Sequence, residues 1–411
     1  MARTSSPAAP DATLPSLTIR LLGLLPLVLA LLCAVRAEAH DPSAWGGLFR
    51  SRDHGARWLP VSEGRFIGGA LGLAISPSDP HHLLLATDSG LLRSRNGGRD
   101  WQAEAPAVLY GSVFAAAFDR DGVRALASTA QGLFRTDDGL TWRRTPISKE
   151  ALPARAIAAG PAGRAYVAGA SGFWRSDDWG GSWRAESDGL PDGPVSAPVI
   201  AVGSPGIIWV IAGGRLWRRA EGSDAWISSD AGMPEGRVDT VASGAGDPAR
   251  LWAAAADQLY RSDDQGRTWT PAGRPLPESN TSVRGIAVAA APSAIVLTTH
   301  RGLYRSGDGG RTWQLEEGVL PIHLEAGPLA RDPADPDTLY AGFALTPYDE
   351  MWRMATKGGT MLGRLNAVSL AGGAAFLLVV ALAAIAALRR LGRYYGKGAL
   401  PAPSSAIGRG R

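Results

Sequence analysis

The chain has 411 residues, of which 45% are hydrophobic and 19% are charged, so it is long enough for one large globular domain or two ordinary ones. Its net charge of +4 comes from the ends, because residues 366–411 carry six basic side chains and no acidic one. Residues 40–365 are slightly acidic and lack cysteine, which argues against a nucleic-acid-binding surface, a disulfide framework and a thiol catalyst there.

The first predicted element is a secretory signal peptide over residues 1–39. Arg20 precedes the apolar run of residues 21–35, and residues 37–39 form an A-x-A cleavage site. Cleavage after Ala39 would leave His40 at the N-terminus. An uncleaved anchor is the alternative, and we favour cleavage because the apolar run is short for a membrane span. The sequence therefore predicts that the following domain is exported.

Seven related units follow between residues 40 and 355. Each unit carries a variant of "GLYRS", starting at residues 47, 90, 132, 172, 215, 258 and 302, and this spacing is typical of a propeller or a solenoid. Two apolar runs with a turn between them precede most copies, and a short Trp-led strand follows, which makes four strands per unit. The predicted fold is therefore all-β, a seven-bladed β-propeller over residues 40–355.

The order of these strands leaves the last blade incomplete. A hairpin at residues 47–60 precedes the first inner pair of strands, and the last inner pair is followed by no complete hairpin. The simplest closure gives the last blade its outer strands from residues 47–60. The segment "EMWRM" at residues 350–354 is a competing candidate strand for that blade.

The C-terminal elements predict a membrane tether. After a linker at residues 356–365, residues 366–388 form an uncharged run that is long enough to cross a hydrocarbon core as a helix. The basic tail, residues 389–411, places that end in the cytoplasm by the positive-inside rule. We therefore expect a bacterial cytoplasmic (inner) membrane protein whose propeller lies on the periplasmic side.

An octet of the form S-x-D-x-G-x-x-W, called a box below, follows each GLYRS-like segment. Asn96 replaces Asp in the second box, the third is aligned with Arg135 in place of Ser, and the fifth keeps little besides Glu221 and Trp226. The assigned box residues are Ser51, Asp53, Gly55, Trp58, Asn96, Gly98, Trp101, Asp137, Gly139, Trp142, Ser176, Asp178, Gly180, Trp183, Trp226, Ser262, Asp264, Gly266, Trp269, Ser306, Asp308, Gly310 and Trp313.

The residue types in the box suit a structural role. Ser and Asp side chains can hydrogen-bond the amides of a tight turn, Gly supplies a positive φ, and Trp can pack between blades. Seven copies at the edge of a ring cannot all be one active site. We therefore interpret the box as a fold element rather than a catalytic site.

This pattern resembles the Asp-box, or BNR repeat, of sialidases, sortilins, xyloglucan-hydrolysing propellers and photosystem II assembly factors. The number of blades, the export signal and the single tether resemble most the propellers of the photosystem II assembly factor type, and then those of the sortilin type. Resemblance to the first group implies an arginine patch that contacts a membrane-protein partner.

Candidate partner-binding residues follow from the predicted strand order. Four arginines lie near the starts of inner strands, on the face opposite the boxes, and four other side chains should share that face. We interpret the set as a rim for a peptide or an acidic segment, with ordinary surface arginines as the alternative. The set is Arg65, Arg155, Arg237 and Arg284 with Tyr110, His300, Arg301 and His323.

Catalytic motifs are missing from the sequence. It contains no H-E-x-x-H, G-x-S-x-G or P-loop, and "GRFIGG" at residues 64–69 does not match the F-R-I-P motif of sialidases. By resemblance, xyloglucan hydrolases place their cleft between two propellers, and one is present here. We therefore predict no catalytic residue, no metal site, no cofactor and no nucleic-acid partner. The predicted function is binding of a protein or peptide that aids assembly or stability of a membrane complex, with glycan binding or hydrolysis as the alternative.

Overall fold

A computed structural model describes residues 46–61, 66–201, 206–223, 225–244, 247–289, 294–357, 378, 381–387 and 389–390. The chain divides into two compact units, and the first ends at Trp352. The predicted signal peptide, and most of the predicted linker, membrane span and tail, lie outside the described residues. Among the helices that the structure does describe, none is long and apolar enough to cross a membrane.

The described strands form seven antiparallel sheets of four strands each. In chain order the strands are β1 (Gly47–Ser51), β2 (Leu59–Pro60), β3 (Ala70–Ile75), β4 (Leu83–Thr87), β5 (Gly90–Ser94), β6 (Gln102–Glu104), β7 (Val113–Phe118), β8 (Ala125–Thr129), β9 (Leu133–Thr136), β10 (Trp142–Arg144), β11 (Ala156–Ala159), β12 (Ala165–Ala168), β13 (Phe173–Ser176), β14 (Arg184–Ala185), β15 (Val195–Ala201), β16 (Ile207–Ala212), β17 (Arg215–Ala220), β18 (Ile227–Ser228), β19 (Val238–Gly244), β20 (Asp247–Ala255), β21 (Gln258–Ser262), β22 (Thr270–Pro271), β23 (Val283–Val288), β24 (Ile295–Thr299), β25 (Gly302–Ser306), β26 (Gln314–Leu315), β27 (Glu325–Arg331) and β28 (Leu339–Ala344). A 3-10 turn at Lys149–Ala151 and an α-helix, α1 (Tyr348–Lys357), complete the elements.

The seven sheets close into a ring. The inner strands β3, β7, β11, β15, β19, β23 and β27 each contact the inner strand of the next sheet, and β27 contacts β3. The second strands, such as β4 and β24, are buried along their whole length, which explains their continuous apolar sequences. The predicted seven-bladed β-propeller is therefore confirmed.

The N-terminal hairpin completes the last blade. Its sheet has the order β2-β1-β28-β27, and β1 pairs with β28 from Gly47 opposite Phe343 to Ser51 opposite Leu339. The rings of Phe49 and Phe343 meet edge to face, with centroids 5.3 Å apart. The competing candidate strand at residues 350–354 was wrong, because that segment lies within α1.

The box ending at Trp269 shows how the turn is held. The Gly266 amide donates to Ser262 Oγ (2.8 Å), and the Ser262 hydroxyl donates to Asp264 Oδ1 (2.7 Å). Asp264 also accepts from the Thr268 amide (2.9 Å). Gly266 has φ +76°, and a Cβ there would lie 2.7 Å from Trp209 Nε1. In four other boxes the Ser hydroxyl likewise donates to the Asp or Asn side chain two residues later and accepts from the Gly amide four residues later. These serines are Ser51, Ser94, Ser176 and Ser306.

Four of the box tryptophans donate to a backbone carbonyl of the blade before them. The indole N–H of Trp269 donates to the carbonyl of Ser229 at 2.6 Å, and that carbonyl follows the last strand of the preceding blade. Trp101, Trp226 and Trp313 make the corresponding bond to carbonyls about one repeat earlier in the chain. Each of these side chains therefore ties its own turn to the blade before it.

The third box differs from the sequence alignment by one residue. The Thr136 hydroxyl donates to Asp138 Oδ1 (3.0 Å), and Asp138 accepts from the amides of Leu140 (2.9 Å) and Thr141 (2.7 Å). The assignment of Asp137 to this role was therefore wrong, and Asp137 instead forms an ion pair with Arg135 at 3.0 Å. The reason is that strand β9 ends at Thr136, so the turn before Trp142 is one residue shorter than in the regular boxes.

Candidate functional site

The antiparallel blades give the ring two different faces. The box turns, between the third and fourth strands, lie on one face, which we call the box face. The inner strands begin on the opposite face, which we call the mouth face because the central channel opens there. Tyr110, Arg155, Arg237 and Arg284 precede or begin inner strands, and the other described candidates lie in turns on the same face: His300, Arg301 and His323. Arg65 lies outside the described residues.

Two of the candidate arginines meet at the channel mouth. Arg155 Nη2 lies 3.1 Å from one carboxylate oxygen of Asp349, and Arg284 Nη2 lies 2.7 Å from the other. Arg155 precedes β11 and Arg284 is the second residue of β23, so the two come from separate blades. Their shared acidic partner belongs to α1 of the same chain.

The other candidates lie away from this pair. Tyr110 is exposed, and Arg237 and His323 are exposed as well. Arg301 forms an ion pair with Glu278 at 3.0 Å, and His300 Nδ1 accepts from the amide of Ser282 at 3.0 Å. The structure therefore joins two of the seven described candidates and leaves five around them.

Helix α1 has local signals at both ends. The carbonyl of Pro347 accepts from the amide of Met351 (3.0 Å), which starts the helical bonding. Asp349 and Glu350 lie in the first turn, where negative charge is favourable next to the positive end of the helix dipole. Lys357 lies in the last turn, where positive charge is favourable next to the negative end. These residues place an acidic first turn against the propeller.

Tyr348 closes the channel mouth from above. Its hydroxyl lies 3.2 Å from the carbonyl of Arg155 and 3.5 Å from that of Phe114. Phe114 lies at an irregularity in the pairing of β7 with β8, between Val113 and Ala115, so its carbonyl is outside the ladder. Burial raises the pKa of the Tyr348 hydroxyl, which therefore stays protonated as a donor at neutral pH.

A four-residue charge cluster surrounds the base of α1. Arg284 lies between Asp349 and Glu325, with its Nε 3.4 Å from Glu325 Oε1. Glu325 is buried and also accepts from the Tyr348 amide at 3.1 Å. Burial opposes ionisation of Asp349, but the charges of Arg284 and Arg155 outweigh it and hold the pKa of that carboxyl below its usual range. Asp349 is therefore ionised when α1 is docked.

Trp352 forms the second anchor of α1. Only 8% of it is exposed, and its indole N–H donates to the carbonyl of Pro153 at 3.3 Å. The Arg155 guanidinium lies over the ring, 4.1 Å from its centroid, which is a cation–π contact. Arg155 therefore binds one acidic and one aromatic side chain of the same helix.

A cavity of about 350 Å³ occupies the channel below Tyr348. Residues of six inner strands line it, among them Asp239, Arg284 and Glu325. Burial raises the pKa of Asp239, although its carboxylate accepts from the amide of Val283 at 3.1 Å. In the part of the chain that the structure describes, no group of three or more His, Cys, Asp or Glu side chains could hold a metal ion.

Sequence reasoning missed Tyr348, Asp349, Trp352 and Glu325. A signal for α1 was present, because Pro347 precedes two acidic residues and Lys357 precedes Gly358 and Gly359, which are start and stop signals of a helix. Glu325 carries no such signal, since an acid at a strand start is common.

The fold and this site define a seven-bladed β-propeller whose channel mouth is covered by an acidic and aromatic segment of its own chain. Solved structures share the fold. YCF48 from Cyanidioschyzon merolae is 16% identical over 67% of this chain and 95% of its own, with a TM-score of 0.50. A structure of YCF48 bound to D1 peptide is 18% identical over 68% of this chain and 94% of its own, with a TM-score of 0.50.

An enzyme shares the fold as well. The GH74 xyloglucanase from Xanthomonas campestris is 20% identical over 65% of this chain and 49% of its own, with a TM-score of 0.50. No protein-family model and no curated protein matches the chain. At these identities the similarities concern the fold.

Proposed function

We propose that this protein binds a protein or peptide partner on its mouth face and aids the assembly or stability of a membrane complex. One observation carries the proposal. The channel mouth already holds a peptide segment, with Asp349 between Arg155 and Arg284 and with Trp352 under Arg155. Charge-assisted contacts to arginine and a buried aromatic anchor are typical of peptide recognition. The fold shared with YCF48 bound to D1 peptide adds support.

The proposed setting is the periplasmic side of a bacterial inner membrane. It rests on the predicted signal peptide of residues 1–39 and on the uncharged run of residues 366–388 with its basic tail. A propeller held beside the membrane would meet the exported loops and ends of membrane proteins, which suits a role in assembly.

Crosslinking in cells tests the proposal. The tagged full-length chain would be crosslinked and purified, and the captured proteins identified by mass spectrometry. We expect a membrane-protein partner whose yield falls roughly tenfold or more when Tyr110→Ala, Arg237→Glu and Arg301→Glu are combined, since losing one strong contact changes affinity about tenfold.

The matched control carries Arg267→Glu and Arg311→Glu, two exposed arginines of box turns on the opposite face. It should leave the yield unchanged. Equal capture by the mouth-face and box-face variants would contradict the proposed surface, and capture of no partner above background would contradict the function.

Glycan hydrolysis is the second candidate. Asp239, whose pKa is raised by burial, shares the channel cavity with the ion-paired Glu325, and hydrolases use two carboxyl groups in such unlike environments. Turnover of model glycosides or xyloglucan by the purified full-length chain, abolished by Asp239→Asn, would establish this candidate. No turnover would remove it.

A further inference from the structure

The channel mouth holds the first turn of α1 as a receptor holds a ligand. Tyr348 and Trp352 are four residues apart and Asp349 and Trp352 are three apart, so all three side chains fall on one side of the helix. All three make specific contacts: the Tyr348 hydroxyl with carbonyls at the mouth, Asp349 with two arginines, and Trp352 with the Arg155 guanidinium and the Pro153 carbonyl.

The match between α1 and the mouth is incomplete. The Nε atom of Arg155 is buried and makes no hydrogen bond, whereas the Nε atom of Arg284 lies 3.4 Å from Glu325 Oε1. The Asp349 carboxylate contacts Arg155 through Nη2 and leaves that Nε–H without an acceptor, which is unfavourable for a buried guanidinium. A ligand with a second acidic group at the mouth would supply the acceptor that Arg155 Nε lacks.

We propose that the first turn of α1 is a built-in competitor for the partner. The partner then carries a short acidic segment with an aromatic side chain about one helical turn after the acidic residue, and it binds by displacing Tyr348, Asp349 and Trp352 from the mouth. This inference rests on the proposed function, and it specifies both the chemistry of the partner segment and the state of the site before binding.

Covalent attachment gives α1 a high effective concentration at the mouth. The apparent affinity of an external segment then equals its affinity for the open mouth multiplied by the fraction of molecules in which the mouth is open. Weakening the α1 side of these contacts should raise the open fraction and strengthen binding of an external segment. Weakening a contact that the external segment itself uses would instead weaken its binding.

A fluorescently labelled peptide with the sequence of residues 345–357, LTPYDEMWRMATK, is the probe. Its binding to the purified full-length chain would be followed by fluorescence anisotropy. We expect weak binding to the wild type and binding roughly tenfold or more tighter to Asp349→Asn and to Trp352→Ala, since each change opens the mouth. A peptide with Asn and Gln in place of its two acidic residues should not bind.

Asp121→Asn, an exposed acid in a box-face turn, is the matched control and should bind the peptide as weakly as the wild type. A thermal melt checks the folding of each variant, and Asp349→Asn, which preserves side-chain volume, carries the test if Trp352→Ala does not fold. Equal affinity of the wild type and a folded mouth variant, or no binding to that variant, would overturn the inference.

The crosslinking experiment separates this inference from the proposed function. A cellular partner captured equally by the wild type and by Asp349→Asn would overturn the competitor role of α1 and leave the partner-binding function standing. Tight peptide binding to Asp349→Asn without any captured partner would overturn the proposed function and leave the peptide chemistry of the mouth standing.

Discussion

His82 is a buried titratable side chain that the structure holds in its neutral form. Only 6% of it is exposed, its ring packs against Phe118, and its Nε2 faces the guanidinium of Arg93. Arg93 is itself paired with Glu104 at 2.6 Å. Burial, followed by the charges of Arg93 and Arg95, lowers the pKa of His82 to about 4. The neutral imidazole can accept a hydrogen bond from Arg93, and the protonated one cannot.

The lowered pKa of His82 predicts a pH-dependent loss of stability. Well above pH 6.5 the imidazole is neutral in both folded and unfolded chains, and as the pH falls from there toward 4 mainly the unfolded chain gains the proton. We expect the wild type to lose about 2 kcal/mol of unfolding free energy between pH 7.5 and pH 5 from this group. His82→Gln keeps an acceptor for Arg93 and should lack that loss in urea unfolding at the two pH values. Equal losses in both proteins would contradict the prediction.

The box turn is the element whose structure follows most directly from sequence. A hydroxyl residue at the end of a strand and an acid two residues later are enough, because these two side chains bond to each other and to amides within the same turn. The third box was misplaced because two adjacent acids, Asp137 and Asp138, both fit the pattern. Only the end of strand β9 at Thr136 decides between them.

The third box therefore offers a matched pair of variants. Asp138→Ala removes the acceptor of the Leu140 and Thr141 amides, and these bonds lower the pKa of Asp138. Asp137→Ala removes surface ion pairs, which contribute little to stability. Thermal unfolding should show a drop of several degrees for Asp138→Ala and a much smaller one for Asp137→Ala. The reverse order would contradict the assignment of Asp138.

Helix α1 and the charge cluster were not predicted from the sequence. Residues 350–354 read polar, apolar, apolar, polar, apolar. Five residues are too few to separate a strand from a helix by periodicity, so only the flanking signals decide. Arg155, Arg284 and Asp349 come from distant points in the chain and meet only in the closed ring. The arginines could be placed on a face from strand order, but their acidic partner could not, because no spacing rule connects it to them.

At the scale of the molecule, closure turns a repeat array into a ring. Each blade contacts mainly its two neighbours, as in any repeat protein, and an open array would fray from its ends. The closing blade combines β1 and β2 from the N-terminus with β27 and β28, so the first and last parts of the propeller cannot separate without breaking one sheet. Closure was predictable because the sequence has one hairpin too many at its start and one too few at its end, and an unpaired strand edge is unfavourable.

Phe49→Ala tests whether the closing blade supports its neighbours. Phe49 is 1% exposed and packs in one cluster with Phe343 of its own blade and with Val296 and Leu303 of the blade before it. Its loss should cost about 3–5 kcal/mol of unfolding free energy. Hydrogen–deuterium exchange should show weaker protection in β3–β6 and in β23–β26, the two adjacent blades. Leu133→Ala in β9 is the control in a blade built from four consecutive strands, and it should weaken the blades on either side of it in the same way. Loss of protection limited to β1, β2 and β28 would instead mean that the N-terminal hairpin is a local attachment and that the ring does not depend on it.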